Sequence, residues 1–319
     1  MPQAIQLSRR DFLRTGAAFT TAAALAPTLL HAQAGPADIV SNYRALGAKT
    51  PLTVTQLAPN LYLLQGIGGN MAALLGPDGT MLVDTSVQTA APHIAESLAA
   101  VKAPPLALVI NTHFHFDHTD GNAALHNAGA HDILAHENTL KRLSSPQYLE
   151  VLDLHTPAAP PAGRPTRTFA DSNSLNGDGH NVFLQHFAPA HTDSDIYVWF
   201  PDADVLHVAD IWFNGFYPLI DYSSGGSLPG MIAAADTALK LAKPGTKIIP
   251  GHGQLGDRGT FQGYRDMLAK VHDRIGTMKA AGKSSEEVVA AKPTADLDAT
   301  WGKGLLTPDK FVAMAYKAS

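Results

Sequence analysis

Apolar positions along the chain change their spacing several times, and each change marks an element. From Leu52 the pattern is that of short strands: Leu52–Gln56, Leu61–Gln65, Asn70–Leu75 and Met81–Val83. Pro77-Asp78-Gly79 predicts a hairpin turn between the last two, because glycine and proline supply the dihedral angles of a tight reversal. Apolar residues then recur at helical spacing over Val87–Lys102 and stop before Pro104-Pro105. Leu106–Ile110 is a short continuous apolar run, which predicts a buried strand. A helix over Asn122–Asn127, a strand over Asp132–Ala135 and a helix over Glu137–Leu143 follow, and Pro157–Pro165 is a Pro/Ala-rich surface loop. Strands return at Arg167–Phe169, Val182–Phe187, Ile196–Phe200 and Val205–Val208. The remainder predicts a helix Pro229–Leu241 entered through Ser227, a strand Lys247–Ile249, a long amphipathic helix Thr260–Ala281 and a last helix Pro308–Lys317. Residues 35–50 read as a linker or a short helix from Asp38 to Leu46. Strands followed by alternating helices and strands, twice over, predict an α/β chain with two sheets covered by helices. With no clear repeat and no internal linker, one domain is expected over 35–319.

The first 34 residues stand apart. Ser8-Arg9-Arg10-Asp11-Phe12-Leu13-Arg14 precedes an apolar, Ala-rich stretch from Ala17 to Leu30 and then Ala32-Gln33-Ala34. A charged region, a short apolar region and a small-residue cleavage site predict an export signal over 1–34, cleaved after Ala34. The paired arginines resemble the twin-arginine type, so the precursor's expected partner is the twin-arginine export machinery and its destination the periplasm. The apolar run, about 14 residues, is short of the roughly 20 that span a bilayer, so the mature form is expected to carry no membrane anchor. Twin-arginine export moves folded proteins, which suits a metal site assembled before secretion.

Composition then narrows the chemistry. The chain has no cysteine, which excludes disulfides, thiolate ligands and a lipid-attached terminus. Its formal net charge of −5 without basic runs argues against nucleic-acid and anionic-membrane partners. A 45% hydrophobic content is that of an ordinary globular protein with ample core.

The most informative segment is Asn111-Thr112-His113-Phe114-His115-Phe116-Asp117-His118-Thr119-Asp120-Gly121. Imidazole nitrogen and carboxylate oxygen are ligands of a borderline cation such as zinc. In an extended segment His113 and His115 point the same way, while Asp117 and His118 turn toward a neighbouring point, so the spacing suggests two metals. The plain alternative is a cluster of surface histidines in a polar loop. The motif lies at the carboxyl end of the predicted strand 106–110, a common place for sites in α/β folds.

With its later blocks, the chain resembles the metallo-β-lactamase superfamily over nearly all of residues 52–282. Five blocks carry the likeness in the family's order: Asp84 after a strand, His113-x-His115-x-Asp117-His118, His191, Asp210 and Pro250-Gly251-His252. The resemblance implies a four-layered αβ/βα sandwich with the site between the edges of the two sheets. It also implies two Zn2+ per chain. His113, His115 and His191 would hold one, Asp117, His118 and His252 the other, and Asp210 would bridge them. Asp84 reads either as orienting a ligand histidine or as a cap at the end of its strand. His191, Asp210 and His252 each read as lying in a turn just after a predicted strand, and ligands from separate strand ends form an open cage with room for water. The other histidines show no ligand spacing; His207, closest to Asp210, reads as a strand residue.

The implied chemistry is hydrolysis of a small molecule by a metal-bridging hydroxide, with Asp117 also taking up a proton. The superfamily hydrolyses β-lactams, lactones, thioesters and phosphodiesters, so the fold does not fix the substrate. Asp210 stands where many true β-lactamases carry a thiolate or serine, the pattern of lactonases, glyoxalase II and related hydrolases. Thr192-Asp193-Ser194-Asp195 after His191 departs from the glyoxalase II sequence. The expected reaction is therefore opening of a small cyclic amide or ester. Phosphodiesterase, thioesterase and iron-dependent oxidoreductase of the same fold are the alternatives; His115, where the diiron branch carries Glu, speaks against the last. The aromatic stretch Trp212 to Tyr217 reads equally as pocket lining or as ordinary packing.

Overall fold

The computed structural model describes residues 36–130, 132–177 and 180–319; the predicted export signal lies outside them. The first half runs α1 Pro36–Gly47, β1 Thr53–Ala58, β2 Leu61–Gln65, β3 Met71–Gly76, β4 Gly79–Val83, α2 Ala91–Ala100 and β5 Leu106–Asn111. It continues through α3 Phe116–Thr119, α4 Asn122–Asn127, β6 Asp132–His136, α5 Glu137–Leu143, the hairpin β7 Gln147–Leu149 and β8 Leu154–Thr156, and β9 Arg167–Phe169. The second half is β10 Ser172–Gly177, β11 His180–His186, β12 Ile196–Phe200, β13 Val205–Phe213, α6 Leu228–Leu241, β14 Lys247–His252 and β15 Gly256–Asp257. Then come α7 Arg258–Ala280, α8 Ser285–Ala290, α9 Asp298–Trp301 and α10 Pro308–Ala318.

Among the described residues the strands form two large sheets, ordered β1-β2-β3-β4-β5-β6-β9 and β10-β11-β12-β13-β14-β15. Three apolar clusters define the layering. Leu63, Leu74, Leu108 and Ile110 of the first sheet meet Val182, Leu184, Val198 and Val205 of the second. On the outer face of the first sheet, Leu64, Met71, Leu82 and Val109 pack under Ile94 and Leu98 of α2. On the outer face of the second, Leu206 and Val208 pack under Met231, Leu268 and Phe311 of α6, α7 and α10. The order helix, sheet, sheet, helix is the expected four-layered sandwich. Alternate residues of β3 and β5 serve opposite cores, which is why those strands read as continuous apolar runs.

Two differences in the elements bear on the site. The helical pattern at 87–102 resolves into a 3-10 turn, Gln88–Ala90, and a shorter α2 entered through Pro92. The strand expected at Val205–Val208 continues to Phe213, and that expected at Lys247–Ile249 continues to His252. These two strands pair in parallel, and their hydrogen bonding carries β structure past the point where apolar alternation ends. Asp210 and His252 therefore lie within strands rather than in the turns that their sequence context predicts. No helix among the described residues is long and apolar enough to cross a membrane.

Candidate metal centre

The site lies where the carboxyl ends of the sheets' parallel strands converge. β5 ends at Asn111, His113 falls in the bend that follows, His115 is the N-cap of α3, and the first turn of α3 carries Asp117 and His118. His191 comes from the β11–β12 connection, Asp210 from β13 and His252 from the last position of β14. Asp210 is aimed by a local irregularity. The β13–β14 register shifts on either side of Ala209, and Ala209 sits at φ +48°. A bulge re-aims the following side chain, and a non-glycine residue in the left-handed region costs on the order of 1–2 kcal/mol. Gly251 on the neighbouring strand makes room: a Cβ there would lie 1.9 Å from Asp210 Oδ1. Gly251→Ala should therefore displace the carboxylate and weaken metal binding at least about tenfold, read by chelator competition with an unchanged far-UV spectrum. Equal affinity in the variant would refute this role for Gly251.

The structure brings all seven residues singled out from the sequence into two adjoining groups. In each, the candidate ligand atoms lie within 4.8 Å of one another: His113, His115, His191 and Asp210 in one, Asp117, His118 and His252 in the other. Asp210 touches both. Its Oδ2 is 3.4 Å from His191 Nε2, 3.9 Å from His113 Nε2 and 3.4 Å from His252 Nε2. Its Oδ1 lies 3.0 Å from His118 Nε2, without the alignment of a hydrogen bond. Asp117 Oδ2 is 3.3 Å from His252 Nε2.

Behind this cage, other groups fix the rings. Buried Asp84 accepts from His118 Nδ1 at 2.7 Å and from the Thr112 amide and hydroxyl at 2.8 and 2.7 Å. With its proton committed to Asp84, Thr112 Oγ1 is left to accept from His113 Nδ1 at 3.1 Å. One carboxylate, the one expected to orient a histidine, thus reaches two of them. The Leu219 carbonyl accepts from His191 Nδ1 at 2.7 Å, and Asp221 Oδ2 accepts from His115 Nε2 at 3.1 Å. Asp221 escaped the sequence reading. Its one local signal is Asp-Tyr-Ser-Ser, a turn in which its side chain also accepts from the Ser223 hydroxyl and the Ser224 amide. Nothing in that signal points to a histidine 106 positions away.

These partners place ring protons on the outer nitrogens of His113, His115, His118 and His191 and leave their lone pairs facing inward. His191 Nε2 and His115 Nδ1 face each other at 2.9 Å, and His118 Nε2 and His252 Nε2 at 3.4 Å. His113 Nε2 is buried without a hydrogen-bond partner. A shared proton would satisfy such pairs only by charging a ring. Burial opposes that in the first group: it lowers His113 well below the ordinary imidazole value and takes His191 down to about 4. In the second group burial is outweighed by Asp210 and Asp117, which raise His252 to about 9. Asp221 feels the same contest: burial would raise it, yet the His115 and Ser223 hydrogen bonds hold it well below the usual carboxylate range. Inward lone pairs, an orphaned ring nitrogen and two carboxylates fit divalent cations with N/O preference.

Above the cage opens a cleft of about 630 Å3, its solvent mouth included. The aromatic stretch after Asp210 divides between the two readings: Phe213 and Phe216 line the cleft, whereas Trp212 and Tyr217 are fully buried packing residues. Phe213 stacks on the His252 ring, centroids 5.2 Å apart. Tyr43 and Ile39 of α1 also line the cleft, a contribution that the sequence, read there as linker or short helix, did not reveal.

A family profile described as "Metallo-beta-lactamase superfamily" matches residues 64–252, well over half the chain and all the residues of the cage. The chain belongs to this superfamily. Solved structures agree on the fold. The metallo-beta-lactamase from Pontibacter korlensis is 17% identical, with a TM-score of 0.56 over 68% of this chain and 99% of its own. DIM-1 metallo-beta-lactamase is 19% identical, with a TM-score of 0.53 over 69% and 99%. The inverting sec-alkylsulfatase Pisa1 from Pseudomonas sp. is 18% identical, with a TM-score of 0.64 over 91% of this chain but 54% of its own, so this chain spans about half its length. Among curated proteins none matches.

Proposed function

We propose that this superfamily member is a dinuclear metal hydrolase, with zinc as the native ion, that opens a small cyclic ester or amide. The observation that carries the reading is Asp210, one buried carboxylate within 3.0–3.9 Å of four imidazole nitrogens drawn from both ligand groups. His113, His115 and His191 would hold one ion, Asp117, His118 and His252 the other, with Asp210 between them. Ions bound there would supply a water acidic enough to be deprotonated near neutrality and an electrophile for the scissile carbonyl. The protein's own part is to hold those positions rigidly. Asp84 and Thr112 fix the His118 and His113 rings, Asp221 fixes His115, and the Leu219 carbonyl fixes His191. Asp117, at the rim of the cage beside His252, accepts the proton released as water attacks and returns it to the leaving group through Oδ2.

Among superfamily substrates, an uncharged ester or lactone is favoured over a β-lactam. A bridging carboxylate adds negative charge between the ions and occupies space that a bicyclic substrate would use. Two measurements test the reading together. Zinc-loaded protein should carry close to two ions per chain, falling toward one in His252→Ala. Its kcat/KM should be higher for activated esters and lactones than for penicillins, carbapenems, phosphodiesters or the secondary alkyl sulfates named for Pisa1. A stoichiometry that stays at one under excess zinc would sink the dinuclear reading. A kcat/KM for penicillins far above every ester and lactone would make the chain a β-lactamase proper.

A further inference from the structure

The cage accounts for the reaction, but most of the cleft wall lies elsewhere. Ile39 and Tyr43 belong to α1, before the family segment begins at residue 64, and Leu305 lies beyond its end at 252. Leu149 and Leu152, from the β7–β8 hairpin, and Phe216 line it too. These side chains are apolar except for the Tyr43 hydroxyl, and among the described residues no lysine or arginine lines the cleft. Among the described residues that line the cleft, Tyr43 thus carries the one side-chain hydrogen-bond donor outside the cage. Its ring meets Phe116 edge-on, centroids 5.4 Å apart, one residue before Asp117.

The helix that presents Tyr43 is held in place. Arg44 donates two hydrogen bonds to Asp120, at 2.9 and 2.6 Å, and Asp120 also accepts from the Gln88 amide at 2.8 Å. The Thr89 hydroxyl donates to the Arg44 carbonyl. Asp120 stands two residues after His118, so this bidentate clip ties α1 to the turn that carries the cage's own side chains.

We propose that α1 completes the active site: Tyr43 donates a hydrogen bond to the carbonyl oxygen of an uncharged ester or lactone whose unbranched apolar tail lies along Ile39, Leu149, Leu152, Phe216 and Leu305. This deepens the hydrolase reading and rests on it. The chemistry of the wall selects the substrate. An apolar tail gains from leaving water, about three- to fourfold in affinity for each buried methylene. A carboxylate at the end of that tail would be stripped of water with no cation to meet it. The neutral phenol is a donor at physiological pH, and a preset donor on a carbonyl oxygen stabilises the negative charge that develops as water attacks.

The experiment uses γ-lactones with linear side chains of increasing length, each paired with the same molecule ending in a carboxylate. Wild-type kcat/KM should rise with every methylene over the first few, and the carboxylate-ended partner should react at least about tenfold more slowly. Tyr43→Phe keeps the ring on Phe116 and removes the hydroxyl. It should lower kcat about 100-fold or more with two ions still bound. A second readout needs no turnover: calorimetric titration of the chelator-treated protein with non-hydrolysable alkyl lactams should show affinity rising with chain length. Tyr43→Phe should weaken that binding about 2–10-fold. A profile flat in chain length, equal rates for carboxylate-ended substrates, or an unchanged Tyr43→Phe would each overturn the inference while leaving the hydrolase reading intact. Metal-loaded wild type inert toward every ester and lactone would overturn both.

Discussion

Asp210→Asn protein should lose at least about a thousandfold in kcat/KM and bind fewer than two ions. Asn matches Asp in shape, so the effect comes from the lost charge and from the exchange of an acceptor for a donor. In the native cage the carboxylate meets imidazoles of both ligand groups within 4 Å. It is 4% exposed, so water cannot replace it. Removing one partner from a buried charge cluster costs about 3–5 kcal/mol, and about 4 kcal/mol corresponds to three decades in rate. The amide nitrogen also donates to inward-facing ring nitrogens and so occupies lone pairs that an ion would use. The measurements are metal content after dialysis and kcat/KM at matched zinc, with a far-UV spectrum to show that the fold persists. A correctly folded variant with two ions and an activity within tenfold of wild type would remove Asp210 from the centre of the mechanism.

Lowering the pH from 8 to 5 should expel one ion well before the other. A ligand must give up its proton for an ion to bind, so a raised ligand pKa makes affinity fall with falling pH, beginning at that pKa. Burial lowers the His252 pKa, but Asp210 and Asp117 outweigh it and raise it to about 9; His118 is raised too, by Asp210 and Asp84 against its own burial. Below about pH 9 the Asp117/His118/His252 group should therefore lose about tenfold in affinity per pH unit for each proton taken up. The other group behaves differently. Burial takes His191 down to about 4 and lowers His113 as well, so those two nitrogens stay free of protons to about pH 5 and this group should keep its ion longer. Metal per chain after dialysis should step from two to one across this window, and His252→Ala should stay near one throughout. Simultaneous loss of both ions, or a pH-dependent one-ion state in His252→Ala, would contradict this assignment.

By itself, the sequence determined the sandwich and the cage. Alternating strand and helix patterns located most elements, because a sheet buried on both faces needs unbroken apolar runs such as Leu106–Ile110. The cage was legible for a related reason. His113, His115, Asp117 and His118 are close in sequence, and the resemblance to the superfamily picked out His191, Asp210 and His252 by their order along the chain. Local chemistry of that kind survives as a local pattern. What only the tertiary structure decided was made by contacts between segments far apart. The left-handed Ala209 that aims Asp210 arises from the pairing of β13 with β14. The Asp221 hold on His115 crosses 106 positions, and α1 reaches Asp120 across 76. A carboxylate beside two serines and a tyrosine in a short amphipathic helix carry no sign in sequence of what they will face. Their roles come from the field, the donors and the excluded water around them, and those exist only once the sheets have packed.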